Sequence, residues 1–138
     1  MSLEKSKELI QLSVDEFYNT GDVDAIDRIY AADFVQYEPS GTKNLAEFKQ
    51  SARGLFSAFP DLVLTIDDLV AEGNKVTKRW TARGTHKGEY LGIPASGNSL
   101  NVTGISVYRV ADGKFAECWH LADALTMMQQ LGAIPPMG

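Results

Sequence analysis

The sequence predicts an α+β chain in which helices gather on one face of a mainly antiparallel sheet. Three observations lead there. Apolar residues recur at helical spacing in three segments before Pro60, the pattern then changes to strand-length runs, and those runs meet in pairs at the turn dipeptides Gly73-Asn74 and Asp112-Gly113. The 138 residues, 44% hydrophobic and 22% charged, suit one domain with a single substantial core that needs neither disulfides nor metal to fold.

Taken in order, Leu3, Ile10, Val14, Phe17 and Tyr18 form the apolar stripe of a first helix, which Gly21 ends. Asp22 is placed to cap a short second helix carrying Val23, Ile26, Ile29 and Tyr30. The stretch from Asp33 to Gly41 alternates briefly and meets Pro39 and Gly41, which predicts a short edge strand running into a loop. Asn44 with Glu47 three residues on is a capping box for a third helix, with Phe48, Ala52, Leu55, Phe56 and Phe59 on its apolar face. Two hairpins follow, Leu62 to Glu72 with Lys75 to Thr85, and Asn101 to Val110 with Lys114 to Leu121. Between them Gly88, Gly92, Pro94 and Gly97 break the stretch from Gly88 to Ser99 into a long loop. Leu125, Met128 and Leu131 predict a closing helix over Asp123 to Leu131, stopped by Gly132 and by Pro135-Pro136.

The charge balance excludes several function classes. Thirteen Lys plus Arg against 18 Asp plus Glu give a net charge of −5, the wrong sign for tracking nucleic-acid phosphates. No apolar run reaches membrane-spanning length, the charged start of the chain lacks a signal-peptide core, and the single Cys118 fits a reducing compartment. A cytoplasmic protein that binds neither nucleic acid nor membrane is therefore expected. Gly-x-Ser-x-Gly, phosphate-loop and His-Glu-x-x-His motifs are absent, and Glu117, Cys118 and His120 do not have zinc-ligand spacing, so no metal is expected.

The run from Trp80 to Gly97, Tyr108-Arg109, the segment Asp112 to Trp119, then Asp123 and Gln129-Gln130-Leu131-Gly132 together resemble the SnoaL-like polyketide cyclase (ester cyclase) family of the NTF2-like superfamily. The resemblance implies a cone-shaped α+β barrel, with N-terminal helices packed in a strongly curved antiparallel sheet around a pocket, and commonly a homodimer. It also implies ring closure of a hydrophobic, carbonyl-bearing polyketide by intramolecular aldol condensation without a cofactor. The superfamily holds isomerases, epoxide hydrolases and pure binding domains as well, so fold alone leaves those readings open.

The family's acid/base aspartate matches Asp123. From the residues themselves, Asp123 follows the alternating run Phe115, Glu117, Trp119, Leu121, so a regular strand puts it on the Trp119 face beside an aromatic wall that would raise its pKa. It is equally placed to cap the last helix, and the two roles are compatible. His86, in Gly84-Thr85-His86, is a candidate proton shuttle or a structural tie for the long loop. His120 has the opposite parity to Trp119 and is expected at the surface or an interface. The family often carries a histidine near Pro39, where this chain has Gln36-Tyr37-Glu38. Tyr37 is left as a hydrogen-bond donor to a ligand. Trp80, Trp119 and Tyr37, then Phe56 and Phe59 from the roofing helix, are the expected substrate-binding residues. Arg79, Thr81 and Arg83 are read as an outward polar face.

Overall fold

Ser2 starts the chain's first helix by accepting a hydrogen bond from the Lys5 amide on its Oγ. In this computed structural model, which describes residues 2–135, that helix (α1, Leu3–Ser13) runs on into a π-helical turn over Val14–Tyr18. The wider turn points both Phe17 and Tyr18 toward the interior, their rings 4.5 Å apart. Gly21, at φ 72°, ends the helix where any side chain would be strained. Asp22 caps a 3-10 turn that leads into α2 (Ile26–Ile29). The capping box at Asn44 and Glu47 is present and opens α3 (Leu45–Ala58), and Asp123 caps α4 (Ala124–Gln130). Gly132 follows α4 at φ 80° and Pro135 comes three residues later, while Pro136 lies outside the described residues.

Six strands form one curved, unclosed sheet: β1 (Tyr30–Glu38), β2 (Gly41–Asn44), β3 (Val63–Glu72), β4 (Lys75–Thr85), β5 (Ser99–Ala111) and β6 (Lys114–Ala122), in the order β2-β1-β6-β5-β4-β3. Both predicted hairpins are found, and Asp112 and Gly113 adopt the positive φ values of 52° and 77° that a type I′ turn needs. The segment after α2 departs from the expectation of an edge strand. β1 is internal, because the chain turns back at Pro39-Ser40 to form β2 on its outer side, while β1 itself pairs in parallel with β6. Long-range pairing of this kind leaves no local signature in the sequence.

A second departure decides which side chains reach the interior. β5 and β6 lose register between Arg109 and Val110, where Ala116 is an extra residue without a partner. Alternation is reset there. Phe115, Ala116 and Cys118 are buried, whereas Trp119 is 38% exposed and Leu121 60%.

The interior holds two apolar clusters. One joins Ile10, Phe17, Ile26, Tyr30, Phe34, Phe48, Tyr108 and Phe115 under the helices. The other joins Val14, Phe59, Leu62, Leu64, Trp80, Leu100, Val102 and Leu131 toward the loop end of the sheet. Each fully buried side chain of this size contributes roughly 1.5–3 kcal/mol. The long loop from His86 to Asn98 is tied to the end of α3, since the Lys87 and Gly88 amides donate to Ala58 O at 2.8 and 3.1 Å. A Cβ on Gly88 would sit 2.7 Å from Ser57 O, so only glycine permits that approach.

Candidate active site

Between the two clusters lies a cavity of about 190 Å³, lined by the π-helical turn after α1, by α3 and by the inner face of the sheet. Most of its wall is apolar: Phe17, Phe48, Ala52, Leu62, Leu64, Leu100 and Val102. Its titratable and amide groups on the sheet are Gln36 and Glu38 on β1, Lys43 on β2, Lys78 on β4 and His120 on β6.

Trp80 organises one wall. It stands opposite Gly104 in the β4–β5 register, and a Cβ there would fall inside the indole and 2.7 Å from Leu121 O. The missing side chain lets the ring lie flat on β5. Trp80 Nε1 donates to Ser106 Oγ at 3.1 Å, and Ser106 Oγ lies 3.0 Å from His120 Nδ1. The imidazole is stacked on the indole, 5.6 Å between centroids and 6° between planes. Indole N–H can only donate, so Ser106 Oγ accepts from it. His120 Nδ1 is the other hydrogen-bond partner of that hydroxyl, which leaves Nε2 as the ring nitrogen without a protein partner among the described hydrogen bonds. Burial pushes the His120 pKa down to about 4, with Lys78 and Lys43 adding to the fall and Glu38 opposing it. At neutral pH the site holds a neutral imidazole.

Glu38 accepts from Gln36 Nε2 at 2.6 Å and from Lys43 Nζ at 2.8 Å. Burial raises its pKa, but these two donors outweigh it and hold the carboxyl below its ordinary range. Lys78 is 1% exposed and has no carboxylate partner among the described residues; its ammonium sits 4.6 Å over the Tyr18 ring and 5.5 Å from that of Tyr108. Burial lowers its pKa to about 8. Tyr18 and Cys118 are pushed up to about 12 by the same cause, so the thiol is inert at neutral pH. Among the described residues no group of three or more His, Cys, Asp or Glu could hold a metal ion, and no helix is long and apolar enough to cross a membrane.

The residues singled out in the sequence are dispersed. Trp80 lines the cavity as expected. Asp123 does not: it is exposed and its carboxylate accepts from Thr126 N at 3.1 Å and Thr126 Oγ1 at 2.7 Å. Those bonds lower its pKa, opposite to the rise expected of a dry setting. No arginine pairs with it among the described residues, as an epoxide-hydrolase arrangement would need. Trp119 and Tyr37 are stacked on each other on the outer face at 5.4 Å, and Tyr37 donates to Glu117 at 2.7 Å. The bulge at Ala116 accounts for the reversal, turning Trp119 outward and His120, expected at the surface, inward. Phe56 packs on Phe17 and Phe59 on His86, both away from the cavity lining.

His86 is fully buried outside the cavity. Its Nδ1 accepts from Ser96 N at 3.2 Å and lies 2.8 Å from Ser96 Oγ, while its backbone bonds to Gly97 and Asn98. It ties down the loop. Arg79 and Arg83 are exposed as expected, while Thr81 is buried against Asp67. Sequence reasoning missed Gln36, Glu38, Lys43 and Lys78 altogether. A signal for Lys78 did exist, since Val76, Lys78, Trp80 and Ala82 share one parity and put a lone cation in an apolar row.

A model of the SnoaL-like polyketide cyclase family matches residues 8–131. TsrD from Streptomyces laurentii is similar in structure, with a TM-score of 0.88 and 33% identity over 97% of this chain and 99% of that one. AclR from Streptomyces galilaeus, a hydroxylase by provisional assignment, has a TM-score of 0.91 and 28% identity over 99% of this chain and 87% of that one. IdmH from Streptomyces antibioticus, provisionally assigned as a polyketide cyclase, has a TM-score of 0.80 and 29% identity over 91% and 97%. No curated protein matches. With its curved sheet around an apolar cavity and a family match across nearly its whole length, the chain belongs to the SnoaL-like polyketide cyclase family and has the NTF2-like fold.

Proposed function

We propose that this chain is a cofactor-independent acid/base enzyme that closes a ring in a hydrophobic, carbonyl-bearing small molecule by an aldol-type reaction, with His120 rather than Asp123 at the reacting atoms. Family membership and a neighbour named as a cyclase support cyclase-like function at the coarser level. The observation that carries the finer reading is the Trp80–Ser106–His120 chain, which holds a neutral imidazole in the wall of an apolar cavity that Glu38 also lines; in this reading the ring's proton is on Nε2. A donor fixed in a dry site stabilises an oxyanion without reorganising.

In this reading Glu38 takes a proton from the carbon next to the substrate carbonyl, and the electron pair moves to the carbonyl oxygen, which His120 Nε2–H binds. The enolate carbon then attacks a second carbonyl of the same molecule. One C–C bond forms, one C=O π bond opens, and the new alkoxide recovers the proton from Glu38. Only protons move between protein and substrate, so the sequence needs no redox partner.

The test is α-deuterium exchange of aryl ketones in heavy water, followed by proton NMR, since it reads proton abstraction before the full substrate is known. Wild type should accelerate exchange, and His120→Ala should lose about 100-fold of that acceleration. Asp123→Asn should keep it within about twofold. Loss in Asp123→Asn with retention in His120→Ala would return the catalytic role to Asp123. A second reading is a non-catalytic binding domain, favoured by the lowered Glu38 pKa, which makes that carboxylate a weak base. Tight ketone binding without any exchange would select it.

Two copies are further proposed to pair through the outer sheet face. Ile105 and Leu121 are cross-strand neighbours there, 50% and 60% exposed, next to the Val107–Trp119 pair. A monomer mass by light scattering at micromolar concentration would reject this.

A further inference from the structure

We infer that the cavity takes a ligand bearing an acidic oxygen, a carboxylate on an apolar ring body, with Lys78 as the residue that recognises it. The inference rests on reading the cavity as a small-molecule site and adds the chemical class of its occupant.

Lys78 carries three N–H donors and is 1% exposed, yet no described carboxylate or carbonyl accepts from it. Two phenol faces, Tyr18 and Tyr108, lie against the ammonium and supply attraction without accepting a hydrogen bond in the plane of the ring, and the nearby Cys118 thiol is uncharged at neutral pH. Buried ammonium groups without an acceptor are strongly disfavoured in native structures. The one carboxylate among the described residues lining the cavity, Glu38, is already answered by Lys43 and Gln36. With Glu38 and Lys43 cancelling and His120 neutral, Lys78 leaves the cavity one positive charge in excess. An acidic oxygen from a ligand would satisfy the donors and the charge together.

Size supports the apolar body. An apolar cavity of about 150 Å³ holds benzene, so about 190 Å³ takes a body of one to two rings. Lys78 and Trp80 share the inner row of β4, so a ring packed on the indole can reach the ammonium with a short acidic substituent.

The experiment is calorimetric titration of wild type and Lys78→Met with 1-naphthoate and its uncharged analogue 1-naphthamide. Wild type should bind naphthoate about 30-fold more tightly than naphthamide, and Lys78→Met should erase that preference while still binding the amide. The retained amide affinity reports an intact cavity in the variant. A second readout uses wild type alone: the Lys78 ε-carbon NMR signal should move with naphthoate and stay still with naphthamide. Equal binding of the two probes to wild type, an unmoved Lys78 signal, or a preference that survives in Lys78→Met overturns the inference and leaves the small-molecule reading standing. Failure of both probes to bind overturns that reading as well.

Discussion

On the inner face of β6, Cys118, His120 and Ala122 meet core and cavity, while on its outer face Glu117, Trp119 and Leu121 meet solvent. Ionisable groups on the two faces are treated in opposite ways. His120 is kept neutral because burial penalises its charged form. Glu117 is kept charged, its pKa lowered by hydrogen bonds from Arg109 at 2.6 Å and Tyr37 at 2.7 Å. Outside, a charge persists through partners and water; inside, the strand supplies dipoles and neutral donors. The lesson is that a residue's chemistry here follows the face it occupies more than its place in the sequence.

That contrast can be broken by pH. The folded-state pKa of His120, about 4, lies below its ordinary 6.5, so the unfolded chain binds the extra proton first as acid is added. Stability from this group is complete above pH 6.5 and is lost as the pH falls toward 4, by up to about 3 kcal/mol. Urea unfolding at pH 7 and 4.5 should show that loss in wild type and a shallower one in His120→Gln; parallel slopes would mean that the imidazole is not desolvated. Gly104→Ala should come next. It drives a methyl into the Trp80 indole, should destabilise the fold by about 2 kcal/mol, and should lower ketone affinity by displacing the ring. Unchanged unfolding would show that the indole does not lie on β5. The smallest effect is expected from Asp123→Ala, which removes only the cap of the seven-residue α4. A slight drop in melting temperature with unaltered exchange activity would set this exposed carboxylate apart from Glu38.

Much of the fold was legible because its signals are local. The capping box at Asn44, the positive-φ stop at Gly21 and the Asp112-Gly113 turn each lie within a few residues of what they control. The site was less legible. Period-two alternation gives the relative orientation of strand neighbours only while pairing is regular, and the unpartnered Ala116 resets it between Phe115 and Glu117. The placements that crossed that point, Trp119 inward, His120 outward and Asp123 beside an aromatic wall, were reversed, while the capping role of Asp123 was met. Trp80 lies on β4, whose pairing with β5 runs unbroken from Lys75 to Thr85, and there the orientation was read correctly. Glu38 and Gln36 were obscured by the parallel pairing of β1 with β6, a contact spanning some eighty residues of chain that no short pattern encodes.

The stack of Trp80 on His120 also gives the cavity its own optical reporter. A protonated imidazole in van der Waals contact quenches indole emission by accepting an excited-state electron, whereas a neutral one does so far less. The only other tryptophan, Trp119, lies on the opposite face of the sheet, so a Trp119→Phe protein would emit from the cavity wall alone. Its fluorescence would then follow the charge on His120, and the arrival of any aromatic ligand beside it, without a label attached to either.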